Sequence, residues 1–196
     1  MAISNKPQAF AQHSMHFILL GIVLSALLCV STCLADITIN HVNRELQQQS
    51  SVLNADVNYQ LSEKVLEALE NGVPLTFRLE MLIQKPREYL WNEDIAESVY
   101  RYQLQYHALS EKYIVKDLQS QQQKSYPSMR AALVALGRVK GVPLPLQKLP
   151  NDSANYILNL KVQLEISSLP APMRPLAWLT TDWHLESDWF QWPLQP

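Results

Sequence analysis

The sequence predicts an α+β domain that is mainly β: an antiparallel sheet system or sandwich with two short packed helices, after an N-terminal signal helix. Four long runs of alternating apolar and polar residues indicate half-buried strands, and two short segments switch to helical spacing. Hydrophobic residues make up 47% and charged residues 17% of 196, so a packed core is expected. At about 150 residues per domain, this length predicts one folded domain.

The first 35 residues have the pattern of a secretory signal peptide. Lys6 is their one lysine or arginine, and they contain no aspartate or glutamate. Residues 17–30 are almost wholly apolar, and Cys33 and Ala35 place small residues at the two positions that signal peptidase reads. We therefore expect cleavage after Ala35 and a mature domain of residues 36–196.

Two alternatives for this segment remain open. Residues 17–34 are just long enough to span a bilayer, so an uncleaved segment would anchor the protein in the inner membrane. Cys33 also loosely matches the lipid-carrying cysteine of a bacterial lipoprotein. The other cysteine, Cys29, lies in the same segment, so the mature domain is expected to contain no disulfide, thiolate nucleophile or cysteine metal site.

Period-two alternation predicts the strands of the mature domain. The long alternating runs are residues 53–61, 75–83, 100–108 and 156–166, and the shorter candidates are residues 37–42, 113–118 and 183–189. Such runs are typical of antiparallel strands with one face on a core and the other in water.

Two segments have helical spacing. Ser62 can cap the first, and Asn71 with Gly72 can end it. The second begins near Ser128, and Gly137 can supply its exit. The connections between elements are rich in glutamine and serine or in proline, as solvated loops are: residues 47–51, 119–125, 141–150 and 169–175.

Composition and motifs exclude several function classes. The net charge of −2, or −3 for fifteen basic and eighteen acidic residues after loss of Lys6, argues against a nucleic-acid binder. The sequence has no glycine cluster for a phosphate, no G-x-S-x-G and no H-E-x-x-H. We therefore expect no enzyme activity and no cofactor, although spacing alone does not refute a triad built from distant residues.

Two acidic clusters are candidates for chemistry. On a strand, Asp182, His184 and Glu186 would share one face, which makes them weak candidates for a metal site. Same-face neighbours lie about 7 Å apart, so a solvated strand face is the favoured interpretation. A second group, formed by residues 93, 94 and 97, is interpreted as a solvated turn rather than an acid–base pair.

Aromatic residues suggest two binding surfaces. Four of the five tryptophans lie in the last nineteen residues. The C-terminal group either closes the core or forms a partner surface, the candidate residues for which are Trp189, Phe190 and Trp192. A ligand pocket between sheet and helices is the alternative, and its candidate lining residues are Trp91, Tyr100, Tyr102 and Tyr106.

Several blocks of the sequence, in order, resemble the DUF4390 family of exported proteobacterial proteins. These blocks are Asn71–Phe77, Leu90-Trp91, Tyr102–Leu109, Ser128–Leu133, Leu169–Pro172 and Asp182–Trp189. The resemblance implies a Gram-negative envelope protein. It transfers no catalytic residue because the family has no known function. Members are often encoded beside a nitrogen-regulation-type sensor kinase, which makes such a kinase a candidate partner.

These observations predict a non-enzymatic periplasmic domain that binds another envelope protein, through a strand edge or through the tryptophan-rich end. The membrane would be contacted only by an uncleaved signal segment. The alternative is a periplasmic protein that binds a small ligand in an aromatic-lined pocket.

Overall fold

The computed structural model describes residues 36–47, 50–149 and 155–194. The predicted signal peptide, its cleavage point, the alternative anchor at residues 17–34 and the alternative lipid at Cys33 lie outside the described residues. Among the helices of these described ranges, none is long and apolar enough to cross a membrane.

Nine strands and three α-helices make up the described ranges. The strands are β1 (Asp36–Gln47), β2 (Ser50–Gln60), β3 (Leu75–Lys85), β4 (Glu93–His107), β5 (Lys112–Asp117), β6 (Gln123–Tyr126), β7 (Arg138–Pro143), β8 (Tyr156–Leu164) and β9 (Phe190–Leu194). The helices are α1 (Glu63–Glu70), α2 (Met129–Gly137) and α3 (Arg174–Leu179). Short 3₁₀ turns cover Leu146–Lys148, Ile166–Ser168 and Thr181–Trp183.

The strands form two antiparallel sheets. The small sheet has the order β1-β2-β7, and the large sheet has the order β6-β5-β4-β3-β8-β9. Every pairing between neighbouring strands is antiparallel. The predicted α+β, mainly β fold class is confirmed, with a third short helix in addition to the two predicted ones.

The inner faces of the two sheets share one apolar core. Tyr59 of β2 meets Phe77 of β3 edge to face, with ring centroids 4.9 Å apart. On another pair of strands, the Tyr100 hydroxyl donates a hydrogen bond of 3.3 Å to the Pro143 carbonyl. Full burial of a side chain such as Phe77 contributes about 1.5–3 kcal/mol, so contacts of this kind hold the sheets together.

Both predicted helices begin where the sequence predicts, at Ser62, the predicted cap, and at Ser128, which also caps its helix. The Ser62 hydroxyl accepts a hydrogen bond from the Val65 amide, and the Ser128 hydroxyl accepts one from the Ala131 amide. Each bond satisfies an amide that has no partner within its helix. At the end of α1, Gly72 adopts a φ of +81°, which suits glycine because it has no Cβ.

Gly137 has a different role from the predicted one. It is the last residue of α2 and, unlike Gly72, it is not in the left-handed region. A Cβ at this position would lie 2.0 Å from the Val57 carbonyl oxygen of β2. Glycine is required here because the helix end approaches the backbone of the small sheet closely.

The interpretation of residues 93, 94 and 97 as a solvated turn is wrong. All three lie in β4, where Glu93 is opposite Lys85, Asp94 is opposite Gln84 and Glu97 is opposite Leu82. Backbone pairing with β3 holds these acidic residues in the strand despite their low strand propensity. Glu93 forms an exposed ion pair with Arg87, and Glu97 forms one with the partly buried Arg78.

Three elements lie where the sequence predicts connections. Strand β6 occupies part of residues 119–125, β7 continues into residues 141–150, and α3 begins within residues 169–175. Each of these elements is six residues or shorter. Such short segments show too few periods for alternation or helical spacing to be recognised.

Alkaline pH is expected to destabilise this core. Burial, with smaller contributions from Asp117 and Tyr100, raises the pKa of Tyr102 from 10.0 to about 12. Burial also raises the pKa of Tyr59. The unfolded chain releases these protons near pH 10 while the folded chain still holds them, so stability falls as the pH rises from 10 to 12.

Each tyrosine with a raised pKa contributes at most about 1.4 kcal/mol per pH unit to this fall in stability, and solvent screening reduces the total contribution of the partly exposed Tyr102. Urea unfolding at pH 9, 10 and 11 measures it. Tyr102→Phe should flatten the slope, and an unchanged slope in this variant would contradict the shift.

Candidate functional site

The C-terminal segment, residues 181–194, pairs with β8 at two separate places. After the Thr181–Trp183 turn, the Leu164 amide donates to the Leu185 carbonyl and the Ser187 amide donates to the Val162 carbonyl, both at 2.8 Å. Pairing then resumes in β9. The predicted strand over residues 183–189 is therefore wrong, because a turn and an interrupted ladder replace it.

The alternation predicted within this segment is still visible in its burial. Trp183, Leu185 and Ser187 are all buried. The Ser187 hydroxyl accepts a hydrogen bond of 3.0 Å from the Val162 amide, which satisfies a buried polar group. Trp189 departs from the pattern because its side chain is 43% exposed. The first half of the segment therefore closes the core, and its end reaches the surface.

The three weak metal candidates have separate partners. Asp182 lies 2.8 Å from the Lys64 ammonium, and its hydrogen bond and charge raise the pKa of Lys64. Glu186 lies 2.9 Å from the Lys161 ammonium. The exposed His184 ring is 6.5 Å from the Trp178 ring. Within the described ranges, no three His, Cys, Asp or Glu side chains are grouped so as to hold a metal ion.

Ser62 joins α1 to this segment. Its hydroxyl caps α1 and also donates a hydrogen bond of 2.8 Å to the Asp182 carbonyl. Ser62→Ala is expected to lower the free energy of unfolding by about 2 kcal/mol, about half from the cap and half from the donated bond. Denaturant unfolding measures this loss, and Ser62→Thr, which keeps a hydroxyl, is the control. If Ser62→Ala lost no more stability than Ser62→Thr, the result would contradict the double role of the Ser62 hydroxyl as cap and donor.

The predicted partner residues separate into two kinds. Phe190 and Trp192 are half-buried and pack against the core, opposite Leu160 and Leu158 of β8. Trp189 remains at the surface, where the Lys161 ammonium lies 5.9 Å from the centre of its ring. Of these three aromatic residues, Trp189 offers the most accessible apolar surface.

Helix α3 exposes a larger apolar surface that the sequence interpretation missed. Leu176, Trp178 and Leu179 are 63%, 60% and 84% exposed, and we call these three residues the α3 patch. Pro175 lies in the first turn of the helix, which is a recognised signal for a helix start. This signal was available in the sequence, but it lies in a segment interpreted as a proline-rich connection.

A cavity of about 410 Å³ adjoins the α3 patch. Trp178, Trp183 and His184 form one wall, and Arg78 of β3 and Glu165 line the cavity as well. In the described ranges, Arg78 Nε is the buried side-chain atom that lacks a hydrogen-bond partner. The cavity is large enough for a side chain or a small molecule, and it combines aromatic surface with charge.

The neighbouring guanidinium on the same sheet face is bound to a carboxylate through two of its nitrogens. Arg101 lies opposite Arg78 in the ladder. It binds the Glu165 carboxylate through Nε at 2.9 Å and Nη2 at 3.1 Å. The hydrogen bond to Glu165, together with its charge, raises the pKa of Arg101. Arg78 instead places Nη2 3.2 Å from Glu80.

The structure separates Trp91 from the three tyrosines that are predicted to line a ligand pocket with it. Tyr100, Tyr102 and Tyr106 are half-buried and pack against the core, and Tyr106 lies 4.8 Å from the Tyr113 ring. Trp91 is 92% exposed between β3 and β4. Eight residues lie between it and Tyr100, and the β3–β4 ladder ends at Glu93. Trp91 therefore lies beyond the sheet that carries the three tyrosines.

The chain was compared with known families and proteins. The family model described as "Domain of unknown function (DUF4390)" matches residues 35–193, which is most of the chain. No curated protein and no solved structure gave a significant match. The family match runs from the start of β1 through all of β9 except its last residue, Leu194. The chain belongs to the DUF4390 family, whose function is unknown.

Proposed function

We propose that this protein is exported to the periplasm of a Gram-negative cell and acts there as a non-enzymatic interaction module. Its N-terminal sequence, with one lysine, an apolar run and a small-x-small exit, supports export. The observation that carries the binding role is the α3 patch. Three large apolar side chains lie exposed within four residues of one short helix.

The α3 patch is held in place, which favours binding. Ala177 on the opposite side of the helix is fully buried. The Arg174 guanidinium donates from Nε to the Leu169 carbonyl at 2.8 Å, and the Thr180 hydroxyl donates to the Leu176 carbonyl at 3.1 Å. A surface that is already ordered loses less conformational entropy when a partner covers it. Tryptophan is also enriched among the residues that dominate interface energetics.

The first candidate partner is the extracytoplasmic part of an envelope sensor kinase. Its support is the resemblance to a family often encoded beside such kinases. The neighbouring cavity supplies a site into which one side chain of the partner can insert. Its aromatic wall and Arg78 would contact that side chain.

Crosslinking in intact cells, followed by affinity capture of the envelope fraction and mass spectrometry, tests this proposal. The wild-type chain is expected to recover one reproducible partner. The double variant Trp178→Ala, Leu179→Ala should lose it. Leu109→Ala is the matched control, since Leu109 is 96% exposed but isolated in the turn after β4.

Recovery of the wild-type chain alone would contradict the interaction module. If the wild type and the double variant recovered the same amount of the partner, the α3 patch would have no role in binding it. The intact mass of the exported chain tests the export step separately, because cleavage after Ala35 removes 35 residues.

A further inference from the structure

A second exposed apolar feature lies in the connection between β3 and β4. Tyr89, Leu90 and Trp91 are 92%, 65% and 92% exposed. They form the longest consecutive run of exposed large apolar residues in the part of the chain that the structure describes. We call these three residues the hairpin tip. The last ladder pair before it is Lys85 with Glu93, so the hairpin tip lies beyond the sheet.

Polar contacts hold the base of the hairpin tip. Arg87 and Glu93 form an ion pair across the connection. The Gln84 amide donates to Asp94 at 2.6 Å, and the Asn92 amide donates to Gln84 at 3.4 Å. Because the base is fixed, the three apolar side chains are presented to water at a defined place beyond the sheet.

The charges around the hairpin tip indicate what it contacts. Residues 85–97 contain two basic side chains, at positions 85 and 87, and four acidic ones, at positions 88, 93, 94 and 97. An anionic membrane surface attracts basic segments and repels acidic ones. Arg87 pairs with Glu93 and Arg78 with Glu97, and the small acidic excess that remains favours a protein partner with basic groups over an anionic lipid surface.

We infer that the hairpin tip is a second protein-docking element, which inserts Trp91 and its neighbours into an apolar pocket rimmed by Lys or Arg side chains of a partner. This inference goes beyond the proposed function because it uses a surface outside the α3 patch. A projecting apolar tip fits a concave site, and its acidic surround is complementary to a basic rim.

A photo-crosslinking amino acid in place of Tyr89, in the full chain and in its native host, tests the inference. A discrete protein adduct is expected from position 89 and not from position 109, the equally exposed control. The purified adduct partner is then titrated calorimetrically with the wild-type chain. Trp91→Ala should weaken binding about tenfold or more, and added salt should weaken the wild-type interaction.

Other outcomes overturn the inference. An adduct formed only with lipid, or sedimentation with phosphatidylcholine–phosphatidylglycerol vesicles that Trp91→Ala abolishes, would make the hairpin tip a membrane contact. Absence of any protein adduct at position 89, or unchanged affinity in Trp91→Ala, would remove it as a docking element. The photo-crosslinking is repeated in the Trp178→Ala, Leu179→Ala variant, in which the adduct at position 89 is expected to form as well. This arm distinguishes failure of the α3 patch from failure of the hairpin tip.

Discussion

Gly137→Ala is expected to lower the free energy of unfolding by about 3 kcal/mol. The added methyl group would lie 2.0 Å from the Val57 carbonyl oxygen, so either α2 or β2 must move. Helix propensity alone predicts the opposite sign, since alanine is about 1 kcal/mol more favourable than glycine within a helix. Denaturant unfolding of the purified domain therefore separates the two effects by sign.

Val134→Ala is the matched control for this prediction. Val134 lies on the exposed side of the same helix, and its replacement should change stability by no more than about 0.5 kcal/mol. A Gly137→Ala variant as stable as the wild type would contradict the close approach of α2 to the small sheet.

Trp183→Ala is expected to cost about 3–5 kcal/mol of unfolding free energy. The Trp183 side chain is 5% exposed and lies in the turn that joins α3 to the segment along β8. Its removal would leave a cavity beside the core. Thermal unfolding followed by circular dichroism measures the loss.

Trp178→Ala is the control for Trp183→Ala. The Trp178 side chain is 60% exposed, so its removal should change stability by no more than about 0.5 kcal/mol. Equal losses in the two variants would mean that the boundary between core and surface in this segment is misplaced.

The strands that bury one face were predictable because the ladder and the core impose the same period of two. Residues 75–83 and 113–118 lie within or one residue beyond strands β3 and β5. Alternation predicts only the second half of β4, because its first half, from Glu93, has an acidic side and little burial. Its pairing with β3 determines this half, and the sequence of β4 alone contains no sign of its partner.

The candidate site was less predictable than the fold. The sequence places Trp178, Trp183 and Trp189 in one aromatic group, but nothing local says which of them is covered. Trp183 is buried in a turn whose Asp182 carbonyl accepts a hydrogen bond from Ser62, 120 residues earlier in the chain than Asp182. Trp178 faces water because Ala177, its neighbour on α3, takes the buried position. Which tryptophan is buried and which is exposed therefore depends on contacts between residues that are distant in sequence.

In the proposed function, the α3 patch binds a partner and is not part of the core. The most direct test measures two quantities on the Trp178→Ala, Leu179→Ala variant: its free energy of unfolding and its affinity for the purified partner. We expect a stability within about 1 kcal/mol of the wild type and an affinity about 100-fold weaker. Unchanged affinity, or a loss of stability large enough to unfold the variant, would contradict it.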